Sequence, residues 1–127
     1  MNQDVSSLVI YQRALNLLPP TYKLAGLLPK DEFRFRSQLC NAAKSISAQI
    51  AEGFAKKDSQ VEFKRFLLMA LGSSNETVTH IRQIKLLNFS GVKPETCDAL
   101  INHYITESKQ INSLIQKIKK KDLKSGI

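Results

Sequence analysis

The stretch Arg36-Ser37-Gln38-Leu39-Cys40-Asn41-Ala42-Ala43-Lys44-Ser45-Ile46-Ser47-Ala48-Gln49-Ile50-Ala51-Glu52-Gly53 decides how this chain folds. Leu39, Ala43, Ile46 and Ile50 recur at steps of four and three, the spacing of one face of an α-helix. Ala42, Ser45, Ala48 and Ala51 flank that stripe and are small enough to let a neighbouring helix come close. The helix is expected from about Phe33 to Phe54, with Gly53 as its C-cap, because glycine enters the left-handed region without steric cost.

Working outward, Ser59 followed by Glu62 has the spacing of a capping box and starts the next helix. That helix runs to about Asn88 and turns Phe63, Phe66, Leu67, Ala70, Val78, Ile81 and Ile84 inward. Ser90-Gly91 marks a turn, and Pro94 suits the first turn of a last helix. There Cys97, Ile101, Tyr104, Ser108, Ile111, Ile115 and Ile118 keep strict four-three spacing, the seam of a left-handed bundle, and Leu100 and Leu114 widen it. Before the central stretch, Leu8, Tyr11, Leu15, Leu18, Tyr22 and Ala25 read as one helix face. Pro19 and Pro20 interrupt it, and a kink or break is expected there because proline removes a backbone donor and crowds the carbonyl four residues back. Pro29-Lys30-Asp31 reads as the following turn. Four helices joined by short connections predict an all-α, up-down-up-down four-helix bundle.

The central stretch, together with Glu62-Phe63-Lys64-Arg65-Phe66-Leu67, Ala70-Leu71-Gly72-Ser73 and Glu76, resembles the 23S rRNA intervening-sequence (S23-type) proteins. These are small four-helix bundles related to the accessory variability proteins of diversity-generating retroelements. The resemblance runs from about Leu8 to about Lys121. It implies a homopentameric ring, small-residue faces at the subunit contacts, and a reverse transcriptase as a partner. Two departures stand out: Cys40 and Asn41 occupy positions where the family often carries arginine, and Gln49 stands where asparagine is usual.

Composition agrees with one folded unit. The 127 residues suit a single domain, taken as 1–127 with a short basic tail from about 119 to 127. With 43% hydrophobic and 24% charged residues, the chain carries no disorder signature. No apolar run approaches the roughly 20 residues needed to span a bilayer, and Met1-Asn2-Gln3-Asp4 lacks the basic start of a signal peptide. A cytoplasmic location, away from membranes, is expected. Cys40 and Cys97 form no CxxC pair, so they read as buried thiols acting as small apolar residues.

Chemistry is sparse. Di-iron bundles need Glu-x-x-His pairs, whereas Glu76/His80 and His103/Glu107 are four apart and read as exposed i,i+4 pairs. No phosphate loop, nucleophile elbow or zinc-protease motif occurs, so no enzyme activity, metal or cofactor is expected. Glu52 and Glu76 are expected to close helix-end or interhelical hydrogen bonds with basic side chains.

Charge carries the functional reading. Nineteen Lys and Arg against eleven Asp and Glu give a net +8. The predicted topology gathers Lys56, Lys57, Lys64, Arg65, Lys117, Lys119, Lys120 and Lys121 at one pole, a field that attracts polyanions. The expected partner is nucleic acid, RNA or DNA, bound through phosphates and largely without sequence reading. Phe54 could stack on a base, although packing on the next helix competes for it. The alternative is a ring-shaped protein–protein scaffold whose charge serves solubility.

Overall fold

The computed structural model describes residues 4–125, with side chains described as far as Lys119. Five α-helices make up its four limbs: α1 (Val9–Asn16), α2 (Leu18–Gly26), α3 (Phe33–Ala55), α4 (Gln60–Leu87) and α5 (Pro94–Ser125). The first limb is α1 and α2 together. No strand occurs among the described residues. Each limb packs on two neighbours: α4 lies between α3 and α5, and α1–α2 bridges α3 and α5 on the other side.

The expected break falls at the prolines. α1 stops at Asn16, Leu17 forms the joint, and Pro19 and Pro20 stand in the first turn of α2. Neither proline can donate to the carbonyl four residues before it, so the ladder is interrupted, although Thr21 N–H still reaches Leu17 O at 3.2 Å. The face of this limb differs from the expected one. The structure buries Ile10, Ala14, Leu17, Thr21, Leu24 and Leu28, and of the expected row it buries Ala25, whereas Leu15 is 40% and Tyr22 is 42% exposed. The inward row is displaced by one residue, about 100° of helix, because hydrogen bonds hold Thr21 inside. The Tyr104 hydroxyl donates to Thr21 Oγ1 at 2.6 Å, and Thr21 donates onward to Leu17 O at 2.7 Å.

α3 buries the expected Leu39, Ala43, Ile46 and Ile50. Gly53 is not its cap. It lies inside the helix and is buried, and Lys56 takes the C-cap position. A Cβ added at Gly53 would stand 2.9 Å from Phe66 Cβ and 3.2 Å from Phe63 Cδ1. Glycine is needed there so that α4 can cross close to α3, not for a turn.

α4 begins as expected, with Ser59 Oγ accepting from Glu62 N–H at 3.2 Å. The return arm of the capping box is missing, since Glu62 gives its carboxylate to Arg65 at 2.9 and 3.2 Å. The helix ends at Asn88 in the left-handed conformation, φ 53°. On α5 the expected seam is buried from Cys97 to Ile118 except for half-buried Ser108. Both cysteines are free, with Cys97 buried and Cys40 half-buried, and burial pushes both thiols up.

Candidate nucleic-acid interface

Two side-chain contacts set the heights of the limbs. Ser73 Oγ donates to Gln49 Oε1 at 3.0 Å between α4 and α3, and Ser108 Oγ lies 2.8 Å from Ser74 Oγ between α5 and α4. Arg65 precedes Ser74 by as many residues as Lys117 follows Ser108. Both therefore sit about 14 Å further along the bundle, at one end. Lys56 and Lys57 cap α3 at that same end. The structure thus brings Lys56, Lys57, Lys64, Arg65, Lys117 and Lys119 to one pole, where they outnumber Glu52, Asp58 and Glu62. The side chains of Lys120 and Lys121 lie outside the described residues.

Within the pole, the cations from the α3–α4 turn are organised by aromatic rings. Lys57 Nζ stands 4.1 Å from the Phe54 ring centre. Lys56 Nζ at 4.8 Å and Arg65 Cζ at 4.5 Å both lie over Phe66. Phe54 meets Phe63 of α4 edge-to-face, with centroids 6.5 Å apart. The packing of Phe54 on α4 and its contact with a lysine therefore coexist. Lys56, Lys57 and Arg65 are exposed, whereas Lys64 is half-buried. Lys117 and Lys119 are exposed on α5 and stand over no ring among the described residues. The Arg65 guanidinium beside Glu62 holds that carboxyl below its usual range, mainly through their hydrogen bond. Such an exposed i,i+3 pair is weak.

The arginines toward the other end have different duties. Arg36 donates from Nε to Ala25 O and from Nη2 to Gly26 O, both at 2.9 Å, and so caps α2. Arg34 lies over Phe33 at 5.8 Å, and Arg82 is exposed.

Three acids stand differently from their expected places. Glu107 does not form an exposed pair with His103. Its side chain is fully enclosed, 3.9 Å from Arg13 Nε, and burial pushes its carboxyl up to about 8 against the lowering effect of Arg13. The row Leu100, Tyr104, Glu107, Ile111 places it on the inner face, a signal visible in the spacing. Glu76 pairs with His80 of its own helix at 3.3 Å, as the spacing suggests, so it closes no interhelical bond. Glu52 is exposed and makes no ion pair among the described residues. Among the described residues no group of three potential ligands could hold a metal ion. No described helix is long and apolar enough to cross a membrane.

The model of the family described as 23S rRNA-intervening sequence protein matches residues 6–113. The chain belongs to that family. The match takes in α1 to α4, the α3–α4 turn with its phenylalanines, and α5 as far as Ser113. No curated protein matches the chain. Lys117 and Lys119 lie beyond the matched segment, so of the described cations at the pole only Lys56, Lys57, Lys64 and Arg65 fall inside the family's own region.

Proposed function

We propose that this chain is a basic, homo-oligomeric accessory protein that binds nucleic acid, structured RNA or an RNA–cDNA intermediate, largely without sequence specificity. The observation that carries the reading is the cluster of Lys56, Lys57 and Arg65 at one pole, held over Phe54 and Phe66. Lys64, Lys117 and Lys119 extend it. Exposed cations of this kind exchange condensed counterions for phosphate contacts, so affinity should fall steeply with salt. The family's name, which points to ribosomal RNA, supports the same class of partner. The role is one of binding without catalysis or cofactor, and a retroelement reverse transcriptase is the proposed protein partner.

Assembly as a ring, a pentamer by resemblance, belongs to the proposal. Gly72 supports it. This residue lies mid-helix in α4, and a Cβ there would meet nothing within 4 Å. Glycine at an exposed helix interior costs about 1 kcal/mol relative to alanine, and nothing inside the subunit requires it. Ala48 on α3 and Leu68 and Met69 on α4 are exposed as well, leaving a small and apolar surface suited to a close neighbour. Light scattering should give a multiple of 14.3 kDa at micromolar concentration. Electrophoretic shifts with RNA and DNA over a salt series test the binding. A monomer, or no shift at low salt, would defeat the corresponding half of the proposal.

The scaffold reading has one observation in its favour. The opposite end carries Leu86, 86% exposed, with Leu87 and Phe33 also exposed, an apolar surface suited to protein. Recovery of a protein partner and no nucleic acid from the native cell would select it.

A further inference from the structure

We infer that the pole is a stacking platform for unpaired nucleotides, in which bases displace Lys57 from the face of Phe54 and Lys56 or Arg65 from the faces of Phe66. The inference rests on the nucleic-acid reading above and narrows it from polyanions in general to single-stranded or looped segments.

The two rings are anchored but not sealed. Phe66 is fixed at its base, because Gly53 lets α3 approach until an added Cβ would stand 2.9 Å from Phe66 Cβ. Phe54 is fixed through its edge-to-face contact with Phe63. Both rings remain half-buried, and the ends of long, exposed side chains stand over them. An exposed ammonium or guanidinium over a ring is a weak cover that a flat group can replace.

A nucleotide offers both halves of an exchange. Its base is a flat π surface that stacks on phenylalanine more strongly than an exposed cation does. Its phosphate takes the displaced cation, whose four-carbon or guanidinium arm already reaches the rim of the ring. Each swap therefore replaces one cation–ring contact with a base–ring contact and a phosphate–cation contact. A duplex cannot make this exchange, because its bases are stacked on one another. It meets the same cations through its phosphates alone. The pole should thus prefer unpaired strands while tolerating any base, since every base has a π face.

The full-length chain tests this with oligouridine and a blunt RNA duplex of equal phosphate number at one salt concentration. The parent should bind the unpaired strand about tenfold more tightly. Phe54→Leu and Phe66→Leu should each pull that ratio toward one, whereas Lys56→Gln with Lys57→Gln should weaken both ligands together. Because a leucine could loosen the α3–α4 contact, a second measurement uses the unaltered protein. The ε-methylene protons of Lys56 and Lys57 should show ring-current upfield shifts when free and lose them on adding oligouridine. Equal affinity for strand and duplex, or unchanged lysine shifts at saturation, would overturn the platform while leaving the basic-pole reading intact. Absence of binding to either RNA would overturn both.

Discussion

Glu107 and Arg13 face each other between α5 and α1 at 3.9 Å, too far for a hydrogen bond, and neither carboxylate oxygen nor Arg13 Nε has another partner among the described residues. Gln110 Oε1, one turn along α5, is also without a partner among the described residues. A buried carboxylate in that position favours its proton, since burial penalises the charge more than one distant guanidinium offsets.

The pH dependence follows from that arrangement. The carboxyl lies near 4.5 when unfolded and is pushed up to about 8 when folded. The folded state therefore holds the proton more tightly, and the stabilisation is complete below about 4.5. It is lost as pH rises through the interval to about 8. Cys40 and Cys97, raised by burial above an ordinary value of 9.0, act in the same direction but only at the upper edge of this range, and Glu107→Gln separates the carboxyl from them. Urea unfolding at pH 5 and pH 8.5 should show a lower midpoint at the higher pH, with an unfolding free energy smaller by an amount on the order of a few kcal/mol. Glu107→Gln should flatten the difference and be the more stable protein at pH 8.5. A parent midpoint that does not fall between the two values would refute the assignment.

Two glycines of the bundle should respond in opposite directions to alanine. At Gly53 the gain in helix propensity, about 1 kcal/mol, competes with a Cβ placed 2.9 Å from Phe66 Cβ. The obstacle is the root of a side chain and cannot swing away, so overpacking of about 1–3 kcal/mol should win. Gly53→Ala should lower the melting temperature. Gly72→Ala meets nothing within 4 Å, so the isolated subunit should gain up to about 1 kcal/mol. Paired melting curves and light scattering separate the two, and loss of assembly in Gly72→Leu with the helical signal intact would mark that face as a subunit contact.

How much of this was legible depends on what competed with each signal. The α5 seam stands out because its inward positions are nearly all strongly apolar. The first limb carries two candidate rows, and Leu15 and Tyr22 outrank Ala14 and Thr21 on hydrophobicity although the latter face the core. Only the Tyr104 hydroxyl, far away in sequence, explains why Thr21 is inside. Gly53 stands near a helix end and invites the cap reading, but what it accommodates is Phe63 and Phe66 on another helix. The basic pole could be read from charge and topology. The seating of its cations on Phe54 and Phe66 could not, because it depends on how closely α3 and α4 cross.

Arg36 should matter for stability rather than for binding. Its guanidinium satisfies Ala25 O and Gly26 O at the end of α2, where helix carbonyls lack partners. Hydrogen bonds from a charged donor contribute about 1.5–3 kcal/mol each at most, so Arg36→Ala should destabilise by about 1–3 kcal/mol. RNA affinity per folded molecule should hold within twofold. A large loss of affinity with an unchanged melt would move Arg36 into the interface.

The most direct prediction concerns the pole itself. Changing Lys56, Lys57, Lys64 and Arg65 together to glutamine should weaken RNA and DNA alike and reduce the steepness of the salt dependence. For every phosphate that is no longer neutralised, the slope of log affinity against log salt should become shallower by about 0.7 for a single strand and 0.9 for a duplex. The fold should survive, because Lys56, Lys57 and Arg65 are exposed and sit at or near helix ends. Glu62 loses its partner in Arg65, but an exposed pair of this kind contributes little. Truncation from Lys119 onward should act in the same direction and more mildly, since it leaves Lys56, Lys57, Lys64 and Arg65 in place. A quadruple variant that binds as tightly as the parent from low to physiological salt would clear the pole of any role. Arg34 and Arg82 would then be the cations to test, because Arg36 is already committed to α2.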